Sequence, residues 1–130
     1  MIFIEANVRM YLIGAEHPNK NLAADKLDAL IKGQERLVTD VEVQREMLHR
    51  YASIGRREAI QPAFDALREI VDEVFPIEPR DVGRAKTLLL ERPSLSARDA
   101  IHVAVMERHG VSEILTFDRG FDTVPGIRRI

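Results

Sequence analysis

The sequence contains no cysteine and no tryptophan, and only 5% of its residues are aromatic. The absence of cysteine excludes disulfides, thiolate zinc sites and cysteine nucleophiles, and it is typical of a reducing compartment. Long hydrophobic runs are also missing, because the opening stretch MIFIEANVRMYLIG is too short to span a membrane and carries Glu5. It lacks the positively charged start of a signal peptide as well. We therefore expect a cytoplasmic protein with no membrane partner.

Neither positive nor negative charge predominates in the chain. The formal net charge is -2 and the isoelectric point is about 6.1, so no global basic bias points to nucleic acid. Charged residues nevertheless make up 31% of the chain, and arginines recur in pairs such as Arg56 with Arg57 and Arg128 with Arg129. A basic rim around an acidic pocket would give the same near-neutral sum as an ordinary mixed surface, and composition does not separate the two.

Length and hydrophobic pattern predict a single domain over residues 1–130, with 45% hydrophobic residues to fill its core. Short apolar runs typical of buried strands alternate with segments that have helical spacing. Strands are predicted at residues 1–4, 36–39, 75–77, 112–117 and 127–130, and helices at 23–32, 39–54, 62–71, 80–91 and 97–109. Residues 8–15 are predicted to form the first turns of a helix or a connecting segment. This alternation predicts an α/β fold, a three-layer sandwich with a central, mostly parallel sheet.

Four acidic residues stand where apolar runs end or where helices begin: Glu5, Glu46, Asp99 and Asp118. Because ligands gather at the carboxyl ends of parallel strands, Glu5 and Asp118 are expected to meet at one edge of the sheet. Buried carboxylates repel one another and resist desolvation, so a cluster of them favours a divalent cation in their midst. This is the chemistry of metal-assisted phosphodiester cleavage.

The two acids at strand ends also have ordinary roles open to them. Glu5 could be the residue at which a strand surfaces, and Asp118 could be a turn residue after ILTF. Asn7 could orient a neighbouring carboxylate or form an Asx-turn. Asp122 could help bind a second ion or only cap the turn.

The same holds for the two acids on helices. Glu46 could pair with Arg50 one turn later, a pair worth about 0.3 kcal/mol. Glu42 competes with Glu46 for the site, but Thr39 and Glu42 have the spacing of a capping box, which would occupy Glu42.

Asp99 could complete another capping box with Ser96. It also lies on one line of its helix with Val103 and Met106, and a carboxylate on an apolar stripe is expensive unless a cation meets it.

Other catalytic chemistries find little support. The histidines show no zinc spacing and are predicted to be surface or structural residues: His17, His49, His102 and His109. A Ser–His hydrolase is disfavoured because no hydroxyl residue has a plausible histidine partner, neither Ser94, Ser96 nor Thr116. The sequence has no P-loop and no glycine-rich dinucleotide fingerprint.

Three segments carry a resemblance to a known family: IFIEANV, VTDVEVQREMLHRY and LSARDAIHVAVMERHGVSEILTFDRGFDTVPGIRRI. Together they resemble the PIN domain of the VapC type, the ribonuclease toxin of a bacterial or archaeal toxin–antitoxin pair. The likeness spans essentially the whole chain, and its last segment is the most diagnostic. It assigns Glu46 as the helix glutamate and adds Asp122 as an auxiliary acid.

The resemblance implies an endoribonuclease that depends on Mg²⁺ or Mn²⁺ and cleaves structured RNA, such as a tRNA or rRNA loop, by a metal-activated water. It implies metal ligands at Glu5, Glu46, Asp99, Asp118 and Asp122, supported by Asn7 and Ser96. It further implies a homodimer and a cognate VapB-type antitoxin, which could block the pocket with an inserted arginine.

The opening departs from the family pattern. Glu5 stands where an aspartate is usual, and Ala6 stands where a hydroxyl residue is often found. The extra methylene would displace the ion or its water, and misplacement of that order costs about a hundredfold in rate. One alternative is therefore a PIN-fold RNA- or protein-binding module with weakened or absent catalysis. A second is a phospho-receiver signalling domain, which is disfavoured because TFDRGFD lacks the lysine expected there.

Overall fold

The structure, a computed structural model, describes residues 1–7 and 18–130. Within these residues one sheet has the order β3-β2-β1-β4-β5. Its strands are β1 (Ile2–Ile4), β2 (Leu37–Asp40), β3 (Glu73–Phe75), β4 (Glu113–Leu115) and β5 (Arg128–Arg129). Every pairing between neighbouring strands is parallel, which confirms the predicted α/β architecture.

The helices of the described residues are α1 (Pro18–Lys32), α2 (Val41–Ser53), α3 (Ile60–Ile70), α4 (Pro79–Glu91) and α5 (Ala97–Arg108). Short 3₁₀ turns cover Arg57–Ala59 and Arg119–Thr123. The helical or connecting segment predicted at 8–15 lies outside the described residues. None of the helices in the described part of the chain is long and apolar enough to cross a membrane.

The sheet carries a hydrophobic core on each face, because successive side chains of a strand point to opposite sides. Phe3 and Ile114 belong to the larger core, which packs under α2, α3, α4 and α5. Ile4 and Leu115 belong to the smaller core, which packs under α1 through residues such as Leu27. Sheet and helices therefore form the predicted three layers.

The helix after β2 begins later than the sequence pattern indicates. Thr39 belongs to the buried strand, and its hydroxyl donates to the Ile4 carbonyl oxygen at 2.8 Å. Asp40 is the N-cap instead, because its Oδ1 accepts from the Val43 N–H at 3.0 Å. The predicted capping box of Thr39 with Glu42 is therefore wrong: strand pairing extends through Asp40 and holds Thr39 inside the sheet.

A buried ion pair fixes α5 against α4. Asp81, only 2% exposed, accepts from the Arg108 guanidinium at 2.7 and 2.8 Å. The same guanidinium donates to the Pro76 carbonyl oxygen at 3.0 Å. These bonds hold the C-terminal end of α5, so that its N-terminal turn is presented to the sheet in one orientation.

Candidate metal centre

The end of β1 places Glu5 inside the protein rather than at its surface. Its N–H donates to the Leu115 carbonyl oxygen at 3.2 Å, so the pairing of β1 with β4 continues to Glu5. The residue is 3% exposed, and its Oε2 accepts from the Thr116 hydroxyl at 3.1 Å. Backbone and side chain are thus both fixed by the neighbouring strand.

Thr116 also connects Glu5 with Asp118, a role that no sequence pattern predicts. The Asp118 N–H donates to Thr116 Oγ1 at 3.0 Å, and Asp118 Oδ1 accepts from the Gly120 N–H at 2.8 Å. A Cβ at position 120 would lie 3.1 Å from Asp118 Oδ1, so the glycine allows this turn to close on the carboxylate. One buried hydroxyl therefore sets the positions of two predicted acids.

Two helices supply the remaining predicted acids. Glu46 and Asp99 are 8% and 4% exposed. The first turn of α5 orients Asp99, since the Ser96 hydroxyl accepts from the Asp99 N–H at 3.1 Å. Arg98 Nη1 lies 2.6 Å from Glu46 Oε1, and its Nε lies 3.7 Å from Asp99 Oδ1. Glu46 Oε2 and Asp99 Oδ1 are nevertheless buried and accept no hydrogen bond from the described residues.

His102 lies in the same site, although the sequence spacing groups it with surface or structural histidines. It is fully buried, and its Nδ1 is 2.8 Å from Asp40 Oδ2. One of its ring nitrogens and a carboxylate oxygen from each of Glu5 and Glu46 lie within 4.8 Å of one another. The available signal was its position three residues after Asp99, which places both on one face of α5.

Burial is the main cause of the raised pKa values of the acids in this site. It raises the pKa of Glu5 to about 7, and the charges of Glu46 and Asp99 add to the effect, while His102 and the Thr116 hydrogen bond oppose it. Burial also raises the pKa of Glu46, against the attraction of Arg98. These acids hold their protons more strongly than exposed ones because burial disfavours their charged form, and the neighbouring positive charges do not fully offset this effect.

Burial and neighbouring charges also determine the pKa values of Asp99 and His102. Burial, and then the charge of Asp118, raise the pKa of Asp99. For His102, burial favours the neutral ring, but the carboxylates of Asp40, Glu5 and Asp99 outweigh it and raise its pKa.

Glu42 is as buried as Glu46 but is occupied by another partner. Its carboxylate accepts from Nε and Nη2 of the exposed Arg45 at distances from 2.6 to 3.0 Å. Glu46, by contrast, has an oxygen close to Glu5 and His102.

Two other predicted residues lie around the cluster rather than within it. Asp122 accepts from Arg129 at 3.0 and 3.1 Å, and its side chain is 48% exposed. The Asn7 Oδ1 atom is buried and accepts no hydrogen bond from the described residues. An auxiliary metal role for Asp122 and a supporting role for Asn7 stay predictions.

The donor set fits a divalent cation. Carboxylate oxygens are the ligands that Mg²⁺ and Mn²⁺ prefer, and two buried carboxylate oxygens here have no hydrogen-bond donor, on Glu46 and Asp99. A buried acceptor without a donor costs free energy, and a cation among these oxygens would remove that cost.

Comparison with known proteins gives concordant results. The family model described as PIN domain matches residues 2–127. Ribonuclease VapC13 of Mycobacterium tuberculosis is 55% identical over 130 residues, covering 100% of this chain and 99% of the relative.

Two solved structures share the fold. VapC20 of Mycobacterium tuberculosis, described as a sarcin–ricin loop cleaving toxin, has a TM-score of 0.73 at 22% identity and covers 92% of this chain and 91% of its own. A toxin–antitoxin complex from Klebsiella pneumoniae has a TM-score of 0.73 at 18% identity, covering 98% and 96%. At these identities the likeness shows the fold alone.

Proposed function

The chain belongs to the PIN domain family, and from this membership we propose how its buried acids cleave RNA. It is an endoribonuclease of the VapC type, the toxin of a toxin–antitoxin module, as its full-length identity of 55% to a VapC ribonuclease supports. The observation that carries the chemistry is the cluster in which Glu46 and Asp99 keep buried oxygens without a donor.

Glu5, Glu46, Asp99 and Asp118 hold one or two divalent cations, Mg²⁺ or Mn²⁺, in this proposal. A cation held by these residues would supply a Lewis acid for the scissile phosphate and would favour deprotonation of an attacking water. Thr116 keeps Glu5 turned toward the cluster, and the Ser96 cap does the same for Asp99. Asp122, which pairs with Arg129, would be the auxiliary acid for a second ion.

Arg98 contacts the RNA backbone in this proposal. Its guanidinium is 43% exposed while it pairs with Glu46, so it lies at the mouth of the site. If Glu46 held a cation, its pairing with Arg98 would weaken, and the Arg98 guanidinium would be available to a phosphate oxygen, the contact that arginine makes most readily with nucleic acid.

The substrate class is structured RNA such as a tRNA or rRNA loop, where the strand is accessible. The RNA target named for VapC20 supports this class. The cellular partner is a VapB-type antitoxin, supported by the likeness to a solved toxin–antitoxin complex. We place the protein in the cytoplasm, where such RNA is found.

Metal removal tests this function directly. Protein stripped with EDTA should leave a tRNA and rRNA pool intact, and added Mn²⁺ or Mg²⁺ should restore discrete cuts that sequencing of RNA ends maps to a few loops. Added Ca²⁺ serves as the matched control, because it binds oxygen ligands with a larger and less rigid geometry.

Glu5→Asp separates the enzyme from the binding module. If neither the native chain nor Glu5→Asp cuts RNA with Mn²⁺ while both still bind it, the chain is a PIN-fold binding module and the catalytic proposal is wrong. Cutting by the native chain means that the longer side chain of Glu5 is accommodated, as its bond to Thr116 indicates.

The homodimer that the family implies has a candidate surface on α4 and α5. Side chains of Val82 and Leu90 are 52% and 79% exposed, and the groove between them is lined by Leu89 and Ile101. We propose that a second copy of this chain covers this surface. Leu90→Glu should convert a dimer into a monomer in light scattering after gel filtration, because it places a charge in a dry interface.

The control for the dimer is another exposed leucine. Leu22 on α1 is 45% exposed, and Leu22→Glu should leave the mass of the particle unchanged. A native chain that is already monomeric at high concentration, or a dimer that survives Leu90→Glu, would remove this surface from consideration.

A further inference from the structure

We propose that His102 is a nitrogen ligand of the site cation, binding through Nε2, with Asp40 as its carboxylate partner. This inference rests on the metal-dependent function proposed above and adds a residue that the acidic motif does not contain. It stands on three features of the structure: the pairing of His102 with Asp40, the burial of both, and the closeness of the His102 ring to oxygens of Glu5 and Glu46.

The hydrogen bond between His102 and Asp40 decides which ring nitrogen can bind a metal ion. His102 Nδ1 lies 2.8 Å from Asp40 Oδ2, and a carboxylate only accepts hydrogen bonds, so Nδ1 carries a proton. Nε2 has no hydrogen-bond partner among the described residues. Metal-binding histidines characteristically donate their other ring N–H to a carboxylate, which fixes the tautomer and directs the free nitrogen at the metal.

The surroundings of the ring hold it in this orientation. Asp40 Oδ1 accepts from the Val43 N–H at 3.0 Å as the N-cap of α2, so the carboxylate is fixed from two sides. The Phe3 ring lies against the imidazole with a centroid separation of 5.2 Å. His102 and Asp40 are both fully buried, and a ring packed in this way cannot turn toward solvent.

The His102 ring also lies near two of the predicted carboxylate ligands. A ring nitrogen of His102 and oxygens of Glu5 and Glu46 lie within 4.8 Å of one another. In an octahedral site with bonds of about 2.1 Å, ligand atoms are about 3.0 Å apart at neighbouring positions and about 4.2 Å apart across the ion, so the three atoms would move closer together around a shared cation.

A mixed site of this kind has a different metal preference from a purely carboxylate one. Carboxylates and water suit Mg²⁺, whereas imidazole adds affinity for transition metals. We therefore expect the site to bind Mn²⁺ more tightly than Mg²⁺, with His102 as the source of the difference.

Electron paramagnetic resonance of bound Mn²⁺ tests the inference without reference to activity. In the full chain, pulsed spectra of Mn²⁺ should show coupling to a directly bound ¹⁴N nucleus. In protein labelled with ¹⁵N-histidine the pattern should change to that of ¹⁵N. Loss of the free Mn²⁺ signal on titration gives the affinity in the same samples, and competition with Mg²⁺ gives the preference.

Variants assign the nitrogen. His102→Gln should abolish the coupling and weaken Mn²⁺ binding by about tenfold or more, with a smaller effect on Mg²⁺. Asp40→Asn keeps an N-cap and should weaken Mn²⁺ binding in the same direction. His49→Gln, on the exposed face of α2, is the matched control and should change neither.

The possible outcomes distinguish this inference from the proposed function on which it rests. Mn²⁺ that binds without nitrogen coupling would show a carboxylate site in which His102 is only a buried partner of the acids, and would overturn the inference alone. Absence of any Mn²⁺ or Mg²⁺ binding would overturn the proposed metal chemistry as well. If His102→Gln does not fold, coupling retained in His17→Gln, His49→Gln and His109→Gln assigns it to His102, the one remaining histidine of four.

Discussion

Asp99→Asn is expected to reduce RNA cleavage by about a thousandfold and to abolish growth arrest when the chain is expressed. A buried ligand with an oxygen free for the cation contributes several kcal/mol of transition-state stabilisation, and about 4 kcal/mol corresponds to this factor. The asparagine has the same shape but no charge. Sequencing of RNA ends after pulsed expression should show discrete cuts with the native chain and none with the variant.

Folding does not explain the expected loss. The Ser96 cap receives the backbone N–H of Asp99, which the substitution retains. Burial and Asp118 already disfavour the Asp99 charge, so its removal should leave the thermal midpoint unchanged or higher. Asp28→Asn, on the exposed side of α1, is the matched control and should cut like the native chain. Equal growth arrest from the native chain and Asp99→Asn would contradict the catalytic role.

Glu5→Gln is expected to stabilise the metal-free protein by about 3 kcal/mol above pH 7. Burial raises the pKa of Glu5 from 4.5, its ordinary value, to about 7. A pKa difference of one corresponds to a free-energy difference of about 1.4 kcal/mol between the two protonation states. A neutral glutamine fills the same space, can accept the Thr116 hydrogen bond and carries no charge to be desolvated.

The sign of the pH dependence follows from proton binding. Between pH 4.5 and about 7 the folded chain holds the Glu5 proton and the unfolded chain has lost it. The folded state then binds more protons, so its stability falls as pH rises through this window. Below pH 4.5 both states are protonated, and the native chain and Glu5→Gln should be equally stable with respect to this group.

Urea denaturation at pH 4 and pH 8 in EDTA measures this difference, with Glu35→Gln on the exposed surface as the control. Because His102, Glu46 and Asp99 also face Glu5, the quantity of interest is the variant minus the native chain at each pH. Saturating Mn²⁺ should make the native chain more stable than Glu5→Gln, since only the native chain has a carboxylate at position 5 to bind the ion. Equal stabilities at pH 8 would show that Glu5 is not desolvated as the structure indicates.

Local patterns predicted much of the fold and part of the site. The apolar run of β1, followed at once by Glu5, marks a strand end that points into the protein, and parallel pairing then brings β4 beside it. The Ser96 cap and its spacing to Asp99 are visible within four letters of sequence. The strand end and the cap are predictable because each depends on neighbours within one element, whereas the pairing of β1 with β4 joins segments that are distant in sequence.

The remainder depends on pairs that are distant in sequence. His102 and Asp40 are separated by 62 positions, and nothing near either residue indicates the partner. Thr39 was misassigned as a cap because a strand end and a helix start overlap at Asp40, where the sheet decides which residue turns. The sequence around Thr116 is that of an ordinary strand and does not indicate its hydrogen bond to Glu5, which is 111 positions away.

The strand order has a consequence for the order of synthesis. β1 is made first but pairs with β4, and the Thr116 hydroxyl that positions Glu5 is translated near the end of the chain. A ribosome-bound fragment that stops before residue 113 therefore has Glu5 and Glu46, with β2 available to pair with β1, but it lacks β4 and the Thr116 hydroxyl that fix Glu5. Chains elongate at about 5–20 residues per second, so the site stays incomplete for several seconds of translation.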